Sequence, residues 1–152
     1  MPKETILIVD DEESIRKSLT GVLADEGYEV ATASTGKEAL DLLGEAQPAL
    51  ALLDIRMPEM DGIETLRRLK ELRPEMQVIM ITGHGEIEDA VKTIKLGAYD
   101  FIRKPLSISD VTLAVQHGLE DYRLRRENES LRQSIEKRYE LVGESPKVRE
   151  LK

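Results

Sequence analysis

The sequence predicts an α/β fold: a five-stranded parallel sheet with helices on both faces, followed by an extended C-terminal helix. Three observations carry this expectation. Short apolar runs alternate with helix-period segments five times before about residue 105, the signature of repeated βα units. Charged residues close three of those runs: Asp10-Asp11 after Ile6–Val9, Asp54 after Leu50–Leu53, and Lys104 after Tyr99–Ile102 with Arg103 intervening. From about Ser109 to Glu140 there is no Pro, a single glycine (Gly118) and a preponderance of strong helix formers.

Each element has its own signal. Thr5–Val9 is a bounded apolar run and reads as a buried strand. Ser14–Glu26 places Ile15, Leu19, Val22 and Leu23 on one helical face, and Gly27 suits its C-terminal cap. Tyr28–Ala33 is the second strand, and Thr35-x-x-Glu38 is a capping box for a helix around Ala39–Leu43. Ala49–Leu53 is the third strand; Ile63, Leu66, Leu69 and Leu72 stripe the third helix. Val78–Ile81 is the fourth strand. Ile87, Val91 and Ile94 mark a helix closed by Gly97. Tyr99–Ile102 is the last strand, and Ser107-x-x-Asp110 opens the final helix.

Five strands connected in this way fit the flavodoxin-like order 2-1-3-4-5, whose binding crevice lies at the carboxyl ends of strands one and three. Asp10-Asp11 and Asp54 then stand side by side on one rim. Thr82 and Lys104 are placed on the same rim by the ends of strands four and five.

Composition narrows the chemistry. The chain has 152 residues, 40% hydrophobic and 34% charged, with one Phe, four Tyr and no Trp. Its core is therefore aliphatic. The absence of Cys excludes disulfides, thiolate metal sites and cysteine nucleophiles. No apolar run approaches the roughly 18 residues of a membrane span, and the N-terminus lacks a signal-peptide core; a soluble, cytoplasmic protein without membrane contact is expected. Residues 1–119 carry 13 basic and 22 acidic residues, whereas 120–152 carry 9 and 8. The acidic first part argues against nucleic-acid contact, and the change of texture marks a module boundary.

Singly, the rim residues are unremarkable. Adjacent acids cap helices, an Asp after a strand forms turns, Thr82-Gly83 is a plausible turn and Lys104 a strand-end charge. Together they describe a site. Mg²⁺ is a small, hard cation that takes one or two carboxylates plus waters and phosphate oxygens, and clustered carboxylates need such a counter-charge. A carboxylate is also a nucleophile toward phosphorus, and Asp54, flanked by metal-binding acids, suits that role. Phosphoryl transfer requires its equatorial oxygens to be neutralised. Lys104 offers an ammonium to one and Thr82 a hydroxyl to another.

The set resembles the receiver domain of two-component response regulators over roughly residues 4–122. That resemblance implies Mg²⁺ held by Asp11 directly, Asp10 mainly through water, Asp54 itself and the backbone carbonyl of Arg56. It implies Asp54 as phosphoacceptor, Thr82 as switch hydroxyl, Lys104 as the ammonium and a cis peptide before Pro105. Met57-Pro58-x-Met60-Asp61-Gly62 matches the family's turn after the phosphoacceptor. Phe101 stands at the switch-aromatic position, often Tyr in relatives.

A narrower resemblance covers Ile81–Glu86 and Gly97–Pro105, which look like receivers of NtrC-type activators working with sigma-N. Leu141–Leu151 resembles the opening of their AAA+ ATPase domain. This implies a receiver at 1–122, a helical linker at 123–140 and the start of an ATPase domain at 141–152. No G-x-x-x-x-G-K-[ST] loop occurs, so ATP hydrolysis and DNA binding are expected outside these residues. The expected partners are a sensor histidine kinase and a second copy of the chain. That copy would meet the face of the fourth helix, fifth strand and last helix. Leu124, Asn128, Leu131 and Ile135 follow alternating spacings of four and three, a short heptad seam with Asn at an a-type position. The alternative is a solvated helix whose leucines pack back on the domain.

Other features point elsewhere with less force. Gly83-His84-Gly85 gives a loop freedom and is not a phosphate-binding loop. His84 and His117 lack ligand-like spacing to acids. Arg123, Arg125 and Arg126 are interleaved with acids, which favours a solvated helix flank over DNA contact. Two rival functions share parts of the pattern. A Mg²⁺-dependent phosphohydrolase with an aspartyl nucleophile would carry an acid two residues later, where Arg56 stands. A flavin carrier would need phosphate-cradling loops where Asp10-Asp11-Glu12-Glu13 occur.

Overall fold

The computed structural model describes residues 4–56, 61–83 and 86–142, and from residue 128 onward the helix backbone alone. Met57, Pro58, Met60, His84, Gly85, the side chains of Asn128, Leu131 and Ile135, and residues 143–152 therefore lie outside the described residues.

Five strands and five helices alternate: β1 (Thr5–Val9), α1 (Glu13–Asp25), β2 (Glu29–Ala33), α2 (Gly36–Ala46), β3 (Leu50–Asp54), α3 (Gly62–Leu72), β4 (Gln77–Thr82), α4 (Ile87–Lys95), β5 (Asp100–Arg103) and α5 (Ile108–Val142). The sheet order is β2-β1-β3-β4-β5, and all four pairings are parallel. This is the expected order. The register sets Val9 beside both Ala33 and Leu53, Asp54 beside Ile81, and Thr82 beside Arg103. The carboxyl ends of β1, β3, β4 and β5 thus lie along one rim.

β1, β3 and β4 read as continuous apolar runs because helices cover both faces of the sheet. Leu7, Val9, Ala51, Leu53, Val78 and Met80 face one layer with Ala39, Leu43, Leu66, Leu69 and Ala90. Their neighbours Ile6, Ile8, Leu50, Leu52, Ile79 and Ile81 face the other, with Leu19, Leu23, Val111, Val115 and Leu119. A one-residue slip of any central strand would exchange these two sets.

The caps expected from sequence are present. Gly27 (φ 92°) and Gly97 (φ 111°) close α1 and α4. Each donates its N–H three residues back, and the following residue reaches five back: Gly27 to Ala24 and Tyr28 to Leu23, Gly97 to Ile94 and Ala98 to Thr93. These are Schellman closures, which need a residue at ease at positive φ. Thr35 Oγ1 accepts from Glu38 N–H at 3.1 Å, and Ser107 Oγ from Asp110 N–H at 3.0 Å.

Two details depart from the sequence reading, at the ends of α3 and α5, and a third, on α4, adds to it. Leu72, counted in the stripe of α3, is 61% exposed. Along α4 the apolar residues Ile87, Val91 and Ile94 point outward, while Ala90 and Thr93 form the buried face. The last helix runs two residues past Glu140, to Val142, and is continuous through residue 122 as expected.

Gly118 explains itself in α5: a Cβ there would lie 2.7 Å from Leu50 Cδ1, so its absence lets the helix settle onto the sheet. Just beyond it, Asp121 accepts from buried Gln77 at 2.6 Å, and Arg123 makes two bonds to Glu4, at 2.6 and 2.7 Å. Arg125 pairs with Asp121 at 3.0 Å, and Arg126 donates to Tyr122 Oη at 2.9 Å. The basic residues at the helix root are thus engaged within the domain.

Candidate functional site

The rim formed by β1, β3, β4 and β5 gathers the charged residues that the sequence singles out. Carboxylate oxygens of Asp10, Asp11 and Asp54 lie within 4.8 Å of one another. Asp10 is fully buried. Its Oδ1 accepts from Glu12 N–H at 2.9 Å, and among the described residues its Oδ2 has no hydrogen-bond partner. Asp54 is 3% exposed and only loosely held. Its Oδ1 accepts from Arg56 N–H at 3.3 Å, and its Oδ2 lies 3.5 Å from Lys104 Nζ.

Lys104 is carried in by β-pairing: its N–H donates to Thr82 O at 2.8 Å, and the peptide to Pro105 is cis. Thr82 ends β4 fully buried, with its hydroxyl unpartnered among the described residues. Asp61 caps α3, its Oδ1 accepting from Glu64 N–H at 2.8 Å. The following residue, Gly62, packs directly on the end of β3. A Cβ there would fall 2.2 Å from the Asp54 carbonyl oxygen and 2.6 Å from Ile55 Cα.

Electrostatics mark this rim as unfinished. Burial pushes the Asp10 carboxyl up to about 6, and the neighbouring Asp54 and Asp11 charges push the same way. Burial also raises Asp54, against the pull of Lys104. Lys104 is raised by its carboxylate neighbours despite its own desolvation. One ammonium thus faces several acids. An open hollow of about 320 Å³, lined by Asp11, Glu12, Asp54, Arg56, Glu86 and Lys104, gives access. Oxygen donors, a bare carboxylate oxygen and surplus negative charge fit a hard divalent cation such as Mg²⁺.

The fold therefore brings together Asp10, Asp11, Asp54, Arg56, Thr82 and Lys104. Phe101 stands apart, half-buried on β5 and packed against the layer that contains α4. Beside it a hollow of about 330 Å³ opens between β5 and α5, walled by Arg103, Asp110, Leu113 and His117. Leu124 lies on α5, 52% exposed.

Sequence reasoning missed Glu86. Its carboxylate is buried at the rim, accepting from Gly83 N–H and pairing with Arg56. The available signal was weak: an acid three residues after a strand-end glycine.

Residues 6–116 match the model of the response regulator receiver domain. The chain belongs to this family. Among curated relatives, the nitrogen assimilation regulatory protein NtrX of Azorhizobium caulinodans is 42% identical over 97% of this chain and 33% of its own length. The regulatory protein AtoC of Escherichia coli is 38% identical over 86% of the chain and 28% of its own length. The chain thus spans about a third of the length of the curated relatives it matches. Among solved structures, the receiver domain of NtrX from Brucella abortus is 44% identical, with a TM-score of 0.74, covering 76% of this chain and 98% of that one. A longer NtrX structure from the same organism gives 0.81 at 39% identity, over 88% of this chain and 34% of that one. A role in two-component regulation follows from this membership.

Proposed function

We propose that this receiver is a Mg²⁺-dependent phosphoacceptor switch of an NtrC-like regulator, with Asp54 taking the phosphoryl group from a sensor histidine kinase. The observation that carries this reading is the loosely held Asp54 carboxylate among Asp10, Asp11, Thr82 and Lys104. Its oxygen attacks phosphorus as the bond to the kinase's imidazole nitrogen breaks, and that nitrogen leaves with the bonding pair. Bound Mg²⁺, held by Asp10, Asp11, Asp54 and the Arg56 carbonyl, supplies charge neutralisation for the transferring group. Lys104 Nζ stabilises one phosphoryl oxygen. The Thr82 hydroxyl, which among the described residues has no competing partner to surrender, turns toward another.

Movement of Thr82 is coupled to Phe101 turning inward, which biases a two-state face made of α4, β5 and α5. Exposed Ile87, Val91, Ile94 and Leu113 support a homodimer there. Leu124, Asn128, Leu131 and Ile135 continue it as a coiled coil along a linker at 123–140. The dimer's geometry then controls assembly of an AAA+ domain that begins at 141–152. The protein acts in the cytoplasm, where ATP-dependent kinases work. Arg56, which lines the hollow and pairs with Glu86, favours this switch over a phosphohydrolase, which needs an acid at that position.

The test is intact mass after incubation with Mg²⁺ and acetyl phosphate. One added phosphoryl group that requires Mg²⁺ and is absent in Asp54→Asn is the expected result. An adduct unaffected by the substitution would refute the assignment.

A further inference from the structure

Glu86 is, after Asp10 and Asp54, the most buried acid among the described residues, at 5% exposed. It stands at the N-cap position of α4 but makes no side-chain capping bond to that helix. The carboxylate turns back to the rim instead. One oxygen accepts from Gly83 N–H, and the other meets the Arg56 guanidinium. Gly83 directly follows Thr82, and the Arg56 N–H already serves Asp54. An amide N–H next to Thr82 and a guanidinium that lines the hollow beside the phosphoacceptor therefore already face an internal anion, the first through a hydrogen bond and the second through an ion pair.

Gly83 strengthens this point. Its φ lies outside the left-handed region, so its backbone does not require glycine. A Cβ there would meet Glu86 Oε1 at 2.8 Å and Glu86 Cδ at 3.7 Å, and, apart from its chain neighbours, nothing else within 4 Å among the described residues. What the missing side chain provides is room for the carboxylate.

We propose that Glu86 is a built-in counter-anion that holds the Gly83 amide and Arg56 in the resting receiver. A phosphoryl group on Asp54 must displace it, so Glu86 sets how readily the site is phosphorylated. Like charges cannot share these donors: the incoming dianion repels the carboxylate and competes for the same N–H. Release of Glu86 frees the start of α4, which links uptake of the phosphoryl group to the face that carries Ile87 and Val91. The inference rests on Asp54 being the phosphoacceptor.

Two substitutions test it by different routes in the chain of residues 1–152. Glu86→Gln keeps the shape and removes the charge. Gly83→Ala keeps the charge and denies the carboxylate its seat. Both should raise the rate of Mg²⁺-dependent phosphorylation by acetyl phosphate about three- to fivefold, the size of one partly exposed ion pair. Both should tighten binding of beryllofluoride, a mimic of the bound phosphoryl group, by a similar factor in amide NMR titrations. A purely structural role for Glu86 would lower both quantities. Either variant at or below wild type, with its amide spectrum intact, overturns the proposal; if Glu86→Gln does not fold, Gly83→Ala decides alone. Wild type that takes up no phosphoryl group sinks the phosphoacceptor reading, and the counter-anion with it. Wild type that is modified no more slowly than the variants sinks the counter-anion alone.

Discussion

The two ends of the sheet are built from similar polar residues to opposite effect. At the amino end, buried Gln77 donates to Asp121 at 2.6 Å. Half-buried Lys70 donates to the carbonyls of Pro74 and Met76, both at 2.9 Å. Glu4 is held by Arg123. At the carboxyl end, Asp10 Oδ2 and Thr82 Oγ1 have no partner among the described residues, and Asp54 is held only at 3.3 and 3.5 Å. Buried polar groups normally find partners because an unmet one costs free energy. One end spends its polar groups on fastening α5 and the turn between α3 and β4. The other keeps them available for something that arrives.

The sharpest way to break the comparison is at Gly62, where the carboxyl end depends on backbone contact. Gly62→Ala should destabilise the domain by about 3 kcal/mol or more, since a Cβ at 2.2 Å from a carbonyl oxygen forces the end of β3 to move. Urea unfolding measures the loss, and loss of Mg²⁺-dependent phosphorylation should accompany it.

Next in size is Asp10. A carboxyl raised from 3.8 to about 6 in the fold binds its proton more tightly folded than unfolded. The resulting stability is full below pH 4 and is lost as pH rises through about 6. Metal-free protein should therefore weaken by about 2–3 kcal/mol across that window. Asp10→Asn should flatten the profile and exceed wild type at pH 7 in chelator. Unfolding curves at pH 4, 6 and 7 decide, and an unchanged profile in the mutant would remove the basis for calling this rim electrostatically unfinished.

The smallest effects distinguish the ends most directly, because they differ in sign. Gln77→Leu should cost about 1–2 kcal/mol, since it strips a hydrogen bond from a carboxylate. Thr82→Val should be neutral or stabilising by up to about 1 kcal/mol, since it replaces an unmet hydroxyl with a methyl of similar shape. Equal losses from both, in parallel thermal melts, would erase the distinction.

How much of this was legible in the sequence follows the same division. The strands were legible because both faces are covered, so Ile6–Val9 and Leu50–Leu53 are unbroken apolar runs. Asp10 and Asp54 were legible because they interrupt those runs abruptly, and Lys104 because it follows the end of the last strand. The inner face of α4 was not: Ala90 and Thr93 are small and face the sheet, while the more hydrophobic Ile87, Val91 and Ile94 face outward. Periodicity locates a stripe but does not say which side meets the core. Leu72 misled for the same reason, one turn beyond the last contact of its helix. Glu86 was hidden because its meaning depends on a side chain folding back onto Arg56, thirty residues earlier, which no spacing rule encodes.

Consider finally the continuous α5. Its last residue with a buried side chain among those described is Tyr122, and its backbone runs on to Val142, about 30 Å farther at 1.5 Å per residue. Such a rod is a lever with its fulcrum at the sheet. A tilt of about 10° at the fulcrum, within the scatter of ordinary helix packing angles, sweeps the far end through about 5 Å. Motion too small to notice at Asp54 would be magnified by leverage alone.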